Sequence, residues 1–239
     1  MPVKRIALIH GLRHSPPPIE AAFKRIFPQA RLHNILDDAL ASDLVAAQAR
    51  HPTETVHASI RDRFLALGRY AASTGAHGIL FTCSAFGPYI EAVQADLVPL
   101  PVLKPNEAMV HDLLALETTP VALVATFAPT LASMHEEIAA IVAARGGNAV
   151  DILPVHVPGA LDALNAGDVA RHDALIVAEV KRTLAVRCDI GAVALTQFSI
   201  GHVQDSLVKQ LDGIPVLSTP ASAVRAMQQR LLGGATAAQ

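Results

Sequence analysis

The sequence predicts an α/β fold of mainly parallel sheets flanked by helices. Three observations carry this expectation. Short apolar, β-rich runs alternate with longer stretches of helical spacing from one end of the chain to the other, as expected when crossover helices cover strands on both faces. The second half of the chain repeats the order of the first. The 239 residues, 51% of them hydrophobic with a mean hydropathy of +0.37, suffice for two lobes of roughly 100–120 residues each.

Taken in order, Arg5 to His10 reads as a buried strand, and Pro16-Pro17-Pro18 closes the loop after it. Ile19 to Phe27 has the spacing of a short helix, with Ile19, Ala22, Phe23 and Ile26 on one face. Ala30 to Leu36 is a second strand. Thr53 to Ser73 is a long helix presenting Ile60, Phe64, Leu67 and Ala71, and Gly75 ends it. Gly78 to Thr82 is a further strand, and Cys83 to Gly87 turns into the next helix. In the second half, strands are predicted at Pro120–Ala125, Ala149–Pro154, Ile190–Leu195 and Ile214–Leu217. Helices are predicted at Pro129–Ala144, His172–Val186, Gly201–Leu211 and Ala221–Leu232.

In open parallel sheets, ligands bind beyond the carboxyl ends of the strands. That rule selects four loops. The first, His10 to Pro18, has neither the glycine spacing of a dinucleotide fold nor a P-loop lysine, so no nucleotide cofactor is expected; His10, Arg13, His14 and Ser15 can bind a small anion. The second carries Cys83, placed between a buried strand and a helix whose first turn accepts Pro88. A thiol there feels the positive end of the helix dipole and is expected to be accessible, with a pKa below the usual ~8.5. The amides of Ser84, Ala85 and Phe86 can hold a carboxylate. The third loop offers the hydroxyls of Thr126 and Thr130 beside helix amides, with Phe127 between them. The fourth places Thr196, Gln197 and Ser199 where a polar substrate can be gripped. Cys188 precedes its strand and is expected about 20 Å from Gln197, at ~3.3 Å per residue, in a structural role.

Composition narrows the function classes. Nineteen basic residues against twenty-one acidic ones give no electrostatic reason to bind nucleic acid or an anionic membrane. Aromatic residues are 4% and Trp is absent, which disfavours base-stacking platforms. No apolar run approaches the ~20 residues of a membrane span. Two cysteines make no disulfide framework, and free thiols point to a reducing, cytoplasmic setting. The eleven His residues show no metal-binding spacing, so no metal is expected; His77, His111 and His172 are expected to be solvated, and His202 stands near the fourth loop. A small carboxylate or carbonyl-bearing molecule is the expected partner, and self-association into a homo-oligomer is left open.

Three segments together resemble the aspartate/glutamate/hydantoin racemase superfamily. Gly78-Ile79-Leu80-Phe81-Thr82-Cys83-Ser84-Ala85 is similar to the family's first-cysteine motif. Val124-Ala125-Thr126-Phe127-Ala128-Pro129-Thr130 is similar to its second-lobe substrate loop, and Gly159-Ala160 to Gly167-Asp168 to an interior segment. The resemblance implies two similar α/β lobes related by a pseudo-twofold, an active site in the inter-lobe cleft, and a C-terminal segment that returns to complete the first lobe. The expected lobes are 1–102 with 216–239, and 103–215. It also implies a cofactor-independent isomerase in which Cys83 is the acid/base or nucleophile and Ser15, Ser84, Ala85, Thr126, Phe127, Thr130 and Thr196 hold the substrate. Family members carry a second cysteine after the strand corresponding to Ile190–Leu195, and Gln197 stands in that place. An amide has no usable pKa for proton transfer. Two-base racemisation by a pair of cysteines is therefore the family activity that this chain departs from; a racemase with His202 or His14 as second base, decarboxylation, a Cys-dependent hydrolase or lyase, and non-catalytic anion binding are the alternatives.

Overall fold

Runs that are apolar on both faces become the strands of two parallel sheets. In the computed structural model, which describes residues 3–50, 54–83, 86–146 and 149–233, β1 (Arg5–His10), β2 (Arg31–Leu36), β3 (Gly78–Phe81) and β4 (Val102–Leu103) form the first sheet, in the order β2-β1-β3-β4. The second sheet contains β5 (Val121–Ala125), β6 (Ile152–His156), β7 (Ala192–Leu195) and β8 (Val216–Ser218), in the order β6-β5-β7-β8. Among the described residues, all six strand pairings are parallel. The two orders are the same permutation, so the second half does repeat the first.

The helices are α1 (Pro16–Ile26), α2 (Leu40–Arg50), α3 (Glu54–Ser73), α4 (Gly87–Asp96), α5 (Glu107–Leu114), α6 (Pro129–Ala144), α7 (Ala160–Asn165), α8 (Val169–Val186), α9 (Gln204–Gln210) and α10 (Thr219–Gly233), with a 3-10 helix at Phe198–Val203. The proline triplet does not close a loop. Prolines are tolerated in a first helical turn, where the missing N–H has no partner to lose, and α1 begins on Pro16.

Chain contacts divide the molecule into Met1–Pro105 with Ala223–Gln239, and Asn106–Ser222. Strand β8 pairs with β7, Leu195 lying opposite Ser218. The chain therefore returns to the first unit within α10, at Ala223, rather than at 216 ahead of β8. In the first unit, Ala7, Ile9, Ile79 and Phe81 point from the sheet onto Leu40, Leu44, Ile60, Phe64, Ile90 and Val93. A Cβ placed on Gly78 would come within 2.8 Å of Met227 Sδ, so α10 packs close against the start of β3. In the second unit, Val124, Val193 and Leu195 face Ile176, Val180 and Leu207, and Leu123, Ala192 and Ala194 face Met109, Met134 and Ile138. Complete burial of such side chains contributes about 1.5–3 kcal/mol each. Among the described residues, no helix is long and apolar enough to cross a membrane.

Candidate functional site

The strand orders explain where chemistry can sit. From β1 the chain crosses to β2 on one side and returns to β3 on the other, so a crevice opens between the carboxyl ends of β1 and β3. The same reversal occurs between β5 and β7. These are the switch points at which open parallel sheets bind ligands. The first and second loops meet at one of them, and the third and fourth at the other.

At the first, the ladder runs one residue past β3, Thr82 N–H donating to Ile9 O at 2.9 Å. Cys83 follows. Phe86 is buried and packs tilted against Phe64 at 4.9 Å between ring centroids, and Phe64 also stacks on Phe81 at 5.4 Å. This aromatic clamp draws the second loop onto the core. Cys83 is only 7% exposed, and its Sγ lies 4.0 Å from Ile9 O. A Cβ on Gly11 would come within 2.7 Å of that sulfur, so glycine is what leaves room for the thiol.

This overturns the expectation of an accessible, acidified thiol. Burial pushes the Cys83 pKa up to about 12; the amides of Gly11 and Thr82 oppose the shift, and the Asp37 carboxylate adds to it. Helix α4 starts only at Gly87, four residues beyond the thiol, and a helix end acts within about one turn. Desolvation wins, and the group is a neutral S–H. Ser84 and Ala85 lie outside the described residues.

His10, at the end of β1, is fully buried. Asn34 Nδ2 donates to Glu20 Oε1 at 2.5 Å, which turns Asn34 Oδ1 toward His10 Nε2 at 2.9 Å. Nε2 therefore carries the proton, and Nδ1 accepts from the Thr82 hydroxyl at 2.8 Å. Burial lowers the His10 pKa, against the raising effects of Asn34 and Glu20. The imidazole is thus committed to positioning Thr82, the residue before the thiol. Two polar residues in strands, His10 and Asn34, were the signal for this network. Arg13 pairs with Asp38 at 2.6 Å. Ser15 is buried at the start of α1 without a side-chain capping bond.

At the second switch point, Gln197 is buried, and its Oε1 accepts from Thr126 N at 2.6 Å, Thr126 Oγ1 at 3.1 Å and Phe127 N at 3.3 Å. The amides and hydroxyl expected to receive a substrate oxygen receive the side-chain oxygen of Gln197. Two N–H donors fix the amide orientation, so Nε2 is the face that Gln197 offers to other groups. The Thr196 hydroxyl donates to Val124 O at 2.8 Å. Thr130 is buried in the first turn of α6, its N–H bonded to Phe127 O at 3.1 Å.

Cys188 lies at the opposite end of β7 from Gln197, but it is exposed rather than packed. His172 is fully buried, not solvated: Nδ1 meets Asp173 Oδ1 at 2.7 Å, and its ring stacks on His202. These three residues were not joined by sequence spacing because His202 arrives from a different element, the 3-10 helix.

No family model and no curated protein matches this sequence. Solved structures do. Glutamate racemase from Francisella tularensis, in complex with D-glutamate, is 17% identical, with a TM-score of 0.71 over 98% of this chain and 82% of its own. Allantoin racemase from Klebsiella pneumoniae is 19% identical, with a TM-score of 0.67 over 97% and 89%. A glycine-to-cysteine mutant of arylmalonate decarboxylase, in a sulfate-associated form, is 18% identical, with a TM-score of 0.62 over 96% and 94%. The chain shares the parallel two-sheet α/β fold of these racemases and of this decarboxylase.

Proposed function

We propose that this chain catalyses cofactor-independent proton transfer to a carbon next to a carboxylate of a small substrate, with Cys83 as the proton donor. The observation that carries the reading is the neutral, buried thiol, its pKa raised to about 12. On the order of one such thiol in 10⁵ is ionised at pH 7, which disfavours it as the base that begins a racemisation. It suits the opposite task. A carbanion beside a carboxylate is far more basic than a thiolate, so transfer from S–H to carbon runs downhill even from a raised pKa.

Loss of CO₂ from a geminal dicarboxylate generates such a carbanion without any base. The C–C bond breaks, its electron pair stays on the α-carbon as an enediolate, and the Cys83 proton forms the new C–H bond. The thiolate left behind regains its proton from solvent. The amides of Gly11 and Thr82, which favour the thiolate, support that transient charge. Gln197, its Oε1 held by the amides of Thr126 and Phe127, supplies no acid/base group. The likeness to both racemases and a decarboxylase supports this class of chemistry.

The test is proton NMR of substituted malonates and α-amino acids incubated with the enzyme in D₂O. One deuterium at the α-carbon, one CO₂ lost and a single enantiomer formed are expected, with Cys83→Ala lowering the rate by ~10²–10⁴-fold. Racemisation of an amino acid without loss of CO₂ would replace this reading with a two-base one. Binding without turnover would make the chain a small-anion receptor.

A further inference from the structure

We propose that His172, Asp173 and His202 form a binding site for one divalent first-row transition-metal ion. His172 and Asp173 lie in the first turns of α8, and His202 comes from the 3-10 helix after β7. One ligand atom from each residue lies within 4.8 Å of the others. His172 Nδ1 and His202 Nε2 approach the same oxygen, Asp173 Oδ1, at 2.7 and 2.9 Å. The two imidazoles stack with centroids 5.6 Å apart and an interplanar angle of 19°, so they present their nitrogens side by side toward the carboxylate.

The ligand set selects the ion. Two imidazoles with one carboxylate suit nickel, cobalt, copper(II), zinc or iron(II), whereas magnesium and calcium take oxygen ligands. With bonds of about 2.1 Å, ligands at 90° lie ~3.0 Å apart and tetrahedral ligands ~3.4 Å apart. The 2.7 and 2.9 Å hydrogen-bond contacts to Asp173 Oδ1 are shorter than either, so the carboxylate and the imidazoles draw apart by ~0.1–0.7 Å when an ion enters. His172 is fully buried and acts as a fixed anchor. Asp173 and His202, with side chains 36% and 35% exposed, have room to turn their lone pairs toward a shared centre.

Tag-free, chelator-treated protein titrated with NiCl₂ and, separately, CoCl₂ in a calorimeter tests the site. One equivalent per chain and a raised melting temperature are expected. Asp173→Asn and His202→Ala should each weaken binding by at least ~10–100-fold while far-UV circular dichroism stays unchanged, and His135→Ala, an exposed histidine elsewhere, should leave it intact. The absence of saturable binding at millimolar metal, or binding equal in both variants and the wild type, would overturn the proposal.

Discussion

Gln197 Oε1 lies 2.6 Å from the amide nitrogen of Thr126. The oxygen of one side chain thus fills the donor group that the α6 end of the second sheet would otherwise offer to an anion. This single bond decides how the third loop behaves, and the first prediction follows from it.

Gln197→Ala leaves the Thr126 and Phe127 amides without their acceptor. Stripping a buried donor of its partner costs about 1–3 kcal/mol, so the variant should melt lower than wild type in anion-free buffer. Sulfate or phosphate can then enter the vacated donors. The rise in melting temperature with added sulfate should be larger for the variant than for wild type; equal responses would mean that the amides do not form an anion cradle.

Alkylation rate against pH reports the Cys83 thiol directly. In a Cys188→Ser background, reaction should be slow and still climbing at pH 10, in line with a pKa of about 12. In the wild type, the exposed Cys188 should react first. A midpoint near 8.5 for Cys83 would contradict the buried-thiol geometry.

The same shift links to alkaline stability. The ordinary value is 9.0 and the folded value about 12. Between them the unfolded chain loses the thiol proton while the folded chain keeps it. The stabilisation from the neutral thiol is therefore fully present below pH 9 and lost progressively toward pH 12. Denaturant titrations at several pH values should show that wild type falls more steeply above pH 9 than Cys83→Ala, the difference isolating this group from other alkaline titrations.

His10 has the opposite signature at the acid end. Its folded pKa is lowered from 6.5 by burial, so the unfolded state takes up a proton first as pH falls. The stabilisation it brings is present above 6.5 and is lost as pH drops through the folded value. His10→Gln, which removes the titration, should flatten the stability profile below pH 6.5.

Steric coupling across the first crevice is testable by a double-mutant cycle. Gly11→Ala drives a Cβ to 2.7 Å from Cys83 Sγ, and overpacking of this kind costs about 1–3 kcal/mol. With Cys83→Ala in the background, the nearest atom of residue 83 becomes its Cβ, at 3.6 Å, an ordinary contact. The Gly11 penalty should shrink in that background; additive costs would show that the two residues do not touch.

The strands were legible because apolar runs buried on both faces leave an unbroken signal, as in Arg5–His10 and Val121–Ala125. Short elements were not. β4 has two residues, Val102 and Leu103, and α7 has six, entered through Gly159 at φ 76°; neither length carries a period. Helix α2 (Leu40–Arg50) and helix α5 (Glu107–Leu114) were also missed, lying in stretches to which no element was assigned. The positions of Cys83 and Gln197 at strand ends followed from the alternation itself. Their environments did not. The raised thiol pKa depends on burial in a cluster shared with Leu40, Phe64 and Phe86, with Gly11 beside the sulfur, and the Gln197 bonds depend on Thr126, seventy-one residues away. Such properties arise from contacts between distant segments, which a local pattern does not encode.

The return of the chain at Ala223 sets the order in which the halves can be finished during synthesis. Residues 106–222 are one continuous stretch, so the second sheet has all of its strands and helices as soon as that stretch has emerged. The first sheet emerges earlier but lacks α10, whose Met227 covers Gly78. Domains usually complete folding from the N-terminus onward during translation. Here the earlier-made half must wait for the helix that packs on the start of β3, and the half containing Cys83 is sealed last.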